Sequence, residues 1–242
     1  MKAKRIFLAV LLTAALSVSS AAPAVLAESP AAPEVTTITV FRPNLGEEDY
    51  MGLQSVDGET LLPPAFASIE VVGKFAIVYS DETDSFYLYD WQKRAFVAEY
   101  PMMYTSGEYI VIAESWEDGN YGLLDQSGAV VTEMQWLWMG DVADDVVWVA
   151  ADEDTMRVNL LHIPSGKMLL DEWADYCTEF SGGYSGFVRD GHVWFVDTEG
   201  HVQETDFVRV EQYTAEDGWF DVETADGTKG KYQPEKNEFT EK

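Results

Sequence analysis

The sequence predicts an all-β protein built from tandem antiparallel units. Three observations carry that prediction. Six hairpin turns recur at a nearly fixed spacing, a β-type run precedes each hairpin, and beyond the N-terminus no window longer than ten residues has helical periodicity. The turns fall at Gly58, Lys93, Gly128, Gly166, Gly200 and Lys236, at intervals of 35, 35, 38, 34 and 36 residues. A fixed period between about 20 and 50 residues marks propellers, solenoids or arrays.

The turn is clearest in NYGLLDQSGAVV, residues 120–131, where Asp-x-x-Gly separates two apolar runs. Asp at the first place of a type I turn accepts backbone hydrogen bonds, and Gly then takes the left-handed conformation of a short bulged hairpin. DQSG and DTEG follow this rule, and IPSG keeps the Gly. DWQK and QPEK put Lys in its place, so those two turns are expected to carry about 1 kcal/mol of strain or to use another geometry.

The runs ahead of the hairpins are, in order, TTITVFR (36–42), KFAIVYS (74–80), YIVIAES (109–115), DVVWVAA (145–151), SGFVRD (185–190) and GWFDVET (218–224). An aromatic-bearing segment follows each of several hairpins: AFASIEV, MQWLWMG, ADYCTEF and FVRVEQY. In the last, Val208 and Val210 alternate with Arg209 and Glu211, the period of a half-buried strand. Each unit is thus a three-stranded meander plus a short leading strand, which the first unit lacks.

One meander cannot bury its apolar face alone, so neighbours must stack to make a core. Six four-stranded units describe a β-propeller-like fold with about six lean blades, and an open, curved β-repeat array is the alternative. In a closed ring the terminal GKYQPEKNEFTEK would pair with TTITVFR at the other end.

GLLDQSGAVV and the earlier GLQSVDGETLLPPAFASIE resemble the bacterial WG-containing repeat, over roughly residues 36–239. Met51-Gly52 and Tyr121-Gly122 stand where that family has Trp-Gly, and the Pro pair occurs once, as Pro63-Pro64. The resemblance implies an exported or surface-linked protein that mediates binding. It brings no catalytic residues.

The N-terminus reads as a secretory signal peptide over residues 1–27: MKAKR, the apolar IFLAVLLTAALSV, then Val25 and Ala27 before the cleavage point. Residues 28–35 form a short linker and residues 36–242 a single β-repeat domain. The apolar run is shorter than the ~18 residues of a membrane anchor, so no membrane insertion is expected after cleavage. Cleavage leaves 12 basic against 43 acidic side chains, a net charge of −31. That charge repels nucleic acid and anionic lipid and favours a soluble monomer. With 47% hydrophobic residues the chain is not an acidic disordered one.

Catalytic motifs are absent from the sequence: it contains no GxSxG, HExxH, CxxC or phosphate loop. Cys177, the one cysteine, reads as a small buried hydrophobe. His162 is expected to bond a turn backbone, and His192 and His201 flank one hairpin and could share a face around a metal. Two features stand above background. Acids cluster in the turns at Asp81, Glu82 and Asp84, at Glu114, Glu117 and Asp118, and at Asp152, Glu153 and Asp154. Such oxygens suit Ca²⁺, but none of these stretches matches a Ca²⁺ loop pattern, and a solvated turn that blunts sheet edges is the plainer reading. Trp91 in a hairpin and Trp116 in a polar linker sit where a ring is expected to be exposed, and Trp136 and Trp138 alternate so that both face one way.

These features lead to an exported, non-catalytic binding or scaffold module for a protein or cell-envelope glycan. The alternatives are a structural spacer and a propeller-type glycan hydrolase with acidic catalytic residues.

Overall fold

The computed structural model describes residues 37–43, 50–115, 119–211, 215 and 217–242. The expected signal peptide at 1–27 and linker at 28–35 lie outside the described residues. Sheet 1 holds β1 (Ile38–Phe41), β2 (Met51–Ser55) and β3 (Thr60–Phe66), in that order. Sheet 2 holds β4 (Ser68–Val72), β5 (Phe75–Ser80), β6 (Ser85–Asp90) and β7 (Ala95–Tyr100). Sheet 3 holds β8 (Met102–Ser106), β9 (Tyr109–Ala113), β10 (Tyr121–Leu124) and β11 (Val130–Trp136). Sheet 4 holds β12 (Trp138–Met139), β13 (Val146–Ala150), β14 (Val158–His162) and β15 (Lys167–Met168). Sheet 5 holds β16 (Tyr176–Cys177), β17 (Tyr184–Arg189), β18 (His192–Asp197) and β19 (Val202–Glu204). Sheet 6 holds β20 (Phe207–Val210), β21 (Phe220–Thr224), β22 (Lys229–Gln233) and β23 (Glu238–Glu241). Every pairing is antiparallel between neighbours in sequence, and the fold is β-propeller-like.

The second strand of each inner sheet explains the packing. In β13, Val146, Trp148 and Ala150 enter the apolar layer against sheet 5, while Val147 and Val149 enter the layer against sheet 3. Residues on alternate faces of one strand thus serve two layers, which is why VVWVA is apolar throughout. β5 divides likewise: Phe75 and Ile77 face sheet 3, and Ala76 and Val78 face sheet 1. Layers join sheets 1–2, 2–3, 3–4, 4–5 and 5–6; among the described residues none of these layers joins sheet 6 to sheet 1.

The turns behave as their residues dictate. Oδ1 of Asp125 accepts from the N–H groups of Ser127 at 2.7 Å and Ala129 at 3.0 Å, and Gly128 sits at φ 81. Asp197 does the same for Glu199 and His201, both at 2.9 Å. The two Lys turns use another geometry. Asp90 pairs with Ala95 across a four-residue loop, and Arg94, not Lys93, takes the left-handed place at φ 55. Lys236 ends a 3-10 turn over Pro234–Lys236, and Asn237 becomes left-handed at φ 50. One extra residue relieves each Lys.

The expected pairing of the C-terminal hairpin with TTITVFR is corrected. β23 completes sheet 6 beside β22, and β1 pairs with β2. The physical reason is that β20 already supplies the short leading strand of sheet 6, so the last strand is held by its own sheet. The outer face of that sheet is charged. Asp221 lies opposite Lys231 and Glu223 opposite Lys229, and ion pairs link Arg209 to Glu211 (3.0 Å), Lys229 to Glu223 (3.6 Å) and Lys242 to Asp221 (2.6 Å).

Links between sheets are short. Ala67, Pro101 and Leu137 each stand alone between the last strand of one sheet and the first of the next. Sheets 5 and 6 are joined through Thr205 and Asp206. Only between sheets 4 and 5 does the link lengthen, over residues 169–175.

Candidate functional site

The sequence candidates separate into different surroundings. Trp91 is 7% exposed, packs with Leu53, Leu61 and Tyr89, and donates Nε1–H to the Gly73 carbonyl at 3.3 Å. The expectation of an exposed ring there is corrected: the longer loop folds the indole back over the layer between sheets 1 and 2. Trp116, Glu117 and Asp118 lie outside the described residues. Trp136 and Trp138 do not share a face. The chain changes sheet at Leu137, so Trp136 is buried between sheets 3 and 4, while Trp138 lies half-buried beside the layer between sheets 4 and 5.

The acids of the turns make local bonds. Asp81 accepts from Tyr50 Oη at 3.0 Å and Asp84 from Tyr79 Oη at 2.8 Å. Asp152 Oδ1 caps the N–H of Asp154 at 2.8 Å. Glu82, Glu153 and Asp154 stand exposed beside them. Among the described residues no three His, Cys, Asp or Glu side chains gather as a metal set. His162 bonds the Ser165 hydroxyl at 2.7 Å rather than turn backbone. His192 begins β18 and His201 follows its end, so a strand of roughly 17 Å separates them. His201 Nδ1 lies 3.0 Å from Asp197 Oδ2; that bond raises the imidazole pKa. Burial alone would raise Asp197, but the backbone N–H groups and ring it accepts from bring it below the usual range.

One candidate, Trp138, opens onto a cleft of about 350 Å³ between sheets 4 and 5. Its other principal walls are Gly140, Asp141, Trp148, Glu179 and Phe180. The cleft lies at the junction with the long link, where β16 is not a direct continuation of the preceding strand. Trp138 starts β12 and Gly140 follows it by two, on the same side. A Cβ at Gly140 would stand 3.1 Å from Cη2 of Trp138, so the indole lies close against the Gly140 backbone and would have to give by a few tenths of an ångström to a larger residue there.

A buried polar knot fixes the opposite wall. Trp148 Nε1 donates to Ser185 Oγ at 3.0 Å, which donates to the Thr178 carbonyl at 2.7 Å. Thr178 Oγ1 accepts from the Gly186 N–H at 2.9 Å and donates to the Glu179 carbonyl at 3.0 Å. Thr178 and Ser185 are fully enclosed, so every one of these polar groups needs its partner. The knot holds the chain at 177–179 and leaves the exposed Glu179 and half-buried Phe180 at the rim. Cys177 forms part of the floor; burial pushes its thiol pKa up, so the sulfur is neutral and a poor nucleophile.

The lining residues include two carboxylates, Asp141 and Glu179, and no Lys, Arg or His. Such a cleft can hold a ligand between aromatic walls and acidic rims. Asp141, Glu179 and Phe180 were not distinguished by sequence; the signal available for them was the stretch of link before ADYCTEF, where sister units have one or two residues.

No known family profile matches the chain, and no curated protein matches it. Solved structures do. Hsv2 of Kluyveromyces lactis is 10% identical, with 77% of this chain and 68% of that one covered at a TM-score of 0.41. The computationally designed Ika8 protein is 14% identical, covering 79% and 67% at 0.40. BamB from Moraxella catarrhalis is 15% identical, covering 80% and 70% at 0.39. The fold assignment rests on the chain's own six consecutive antiparallel sheets.

Proposed function

We propose that the mature chain is an exported, non-catalytic binding or scaffold module of the WG-repeat kind, which engages a protein or cell-envelope ligand. The observation that carries this reading is the cleft between sheets 4 and 5. It is concave, walled by aromatic rings, and held open by a fully bonded polar knot rather than by mobile side chains. Preformed clefts with few, fixed polar groups are what binding sites look like. Export is supported by the charged, apolar and small-residue segments of residues 1–27.

The test is capture from the cell surface and secretome of the source cell with residues 28–242 as bait, in EDTA and again in millimolar Ca²⁺. A specific partner should be retained by the native domain and lost with Trp138→Leu, at equal melting temperature. Capture of nothing in either buffer, by either protein, would overturn the reading. A gain only in Ca²⁺ would bring the acidic turns into the site.

A further inference from the structure

We infer that the cleft takes a lysine or arginine side chain, presented by an extended basic segment of a protein partner. This rests on the binding reading above and names the chemistry of its ligand. The argument begins with complementarity. The accessible walls are the half-buried Trp138 and Phe180 rings, whose faces are electron-rich, backed by the buried Trp148, and the ionisable rim groups are the carboxylates Asp141 and Glu179. No cationic side chain lines the cleft to neutralise them. An anionic ligand would meet two carboxylates and an aromatic face. A purely apolar one would cover Asp141 and Glu179 without offering a charge to either, leaving Asp141 only its 3.5 Å contact with the Ser106 hydroxyl, which is unfavourable.

A basic side chain satisfies both halves of the site at once. Its methylene stem lies against the rings while its charged head reaches the rim. The volume of about 350 Å³ holds one such side chain with neighbouring backbone. The thiol at the floor is neutral and adds no competing charge. At long range the same preference holds, because a mature chain of net charge −31 draws cationic segments toward it and repels acidic ones. A planar guanidinium stacks on indole and pairs with carboxylate in one geometry, so arginine should be preferred to lysine.

The experiment uses residues 28–242 and three blocked tripeptides, glycine on each side of arginine, lysine or citrulline, followed by calorimetry and indole fluorescence. Citrulline keeps the shape of arginine and removes its charge. The arginine peptide should bind roughly tenfold more tightly than the citrulline one. Its affinity should fall as salt shortens the Debye length from about 10 Å to a few Å. Asp141→Asn with Glu179→Gln should abolish that difference, while Glu238→Gln with Glu241→Gln, the same charge change on the exposed β23, should leave it intact.

Equal binding of arginine and citrulline peptides, no binding at all, or equal loss in both charge variants overturns the proposal. So does displacement by neutral oligosaccharides but not by arginine, which would make the cleft a glycan site. If the peptides fail while cell-surface capture still depends on Trp138, the ligand class is wrong and the binding reading stands. If both fail, the reading falls with it.

Discussion

Ser185→Ala tests the polar knot most directly. Ser185 Oγ is fully buried, accepts from Trp148 Nε1 at 3.0 Å and donates to the Thr178 carbonyl at 2.7 Å. Removing it orphans the Trp148 N–H, whose side chain is 2% exposed and has no route to water. A stranded buried donor costs about 1–3 kcal/mol, and the carbonyl's lost bond adds about 0.5–1.5 kcal/mol. The expected loss is therefore about 1.5–4.5 kcal/mol. For a domain of this size that lowers Tm by about 3–18 °C, read by calorimetry or circular dichroism. Trp148→Phe removes the donor itself and leaves Ser185 bonded to Thr178. On that background Ser185→Ala should be milder by about 1–3 kcal/mol, the cost of the stranded donor, a coupling that a double-mutant cycle reads. If the two substitutions were additive, or if Ser185→Ala alone moved stability by less than about 0.5 kcal/mol, the account of this junction would be wrong.

Three further outcomes are expected. Gly182 has φ 56, and a Cβ there would stand 2.7 Å from the Gly218 Cα, backbone against backbone; Gly182→Ala should cost at least about 1 kcal/mol and loosen sheet 6, seen as faster amide exchange in β21 and β22. Deleting residues 230–242 removes buried Tyr232 from the layer with Phe195 and Phe207 and should destabilise sheets 5 and 6, whereas deleting 238–242 removes exposed β23 with the Phe239 contact on Phe207 and the Lys242–Asp221 ion pair but leaves Tyr232 in place, and should lower Tm less. The carboxyls of Asp125 and Asp226 are held below their usual 3.8, first by the Ser127 and Thr224 side chains respectively and also by turn N–H groups. Because the folded-state values are depressed, their stabilisation is fully present above about pH 4 and is lost as pH falls through them. Asp125→Asn with Asp226→Asn should flatten that acid limb of a Tm-versus-pH curve, and an unchanged slope would refute the assignment.

The repeat was legible because its signals are local. Asp and Gly fix a hairpin within four residues, and apolar runs such as FAIVYS and VVWVA declare strands covered on both faces. What a ring or strand touches at a distance was less legible. Trp91 was placed in a turn correctly, yet a loop one residue longer decides that its indole turns inward. Trp136 and Trp138 obey strand alternation only until Leu137, where the chain passes into another sheet. The terminal strand's partner depended on whether sheet 6 was already complete, which is a property of β20 and not of the last residues. The cleft had the weakest signal of all, since Trp138 and Glu179 meet only through the stacking of two units.

The charged outer face of sheet 6 has a consequence for what can pack against it. In a stack of this kind each sheet offers its free face as a template for the next, so an apolar face at the end would invite another copy to add. Lys229, Lys231 and Lys242, alternating with Asp221 and Glu223, make that template unusable: anything laid on it would have to strip water from five charges. That face is therefore a poor seat for a further apolar unit. Exchanging Lys229 and Lys231 for valine should make that face adhesive, seen as concentration-dependent light scattering that the native protein lacks.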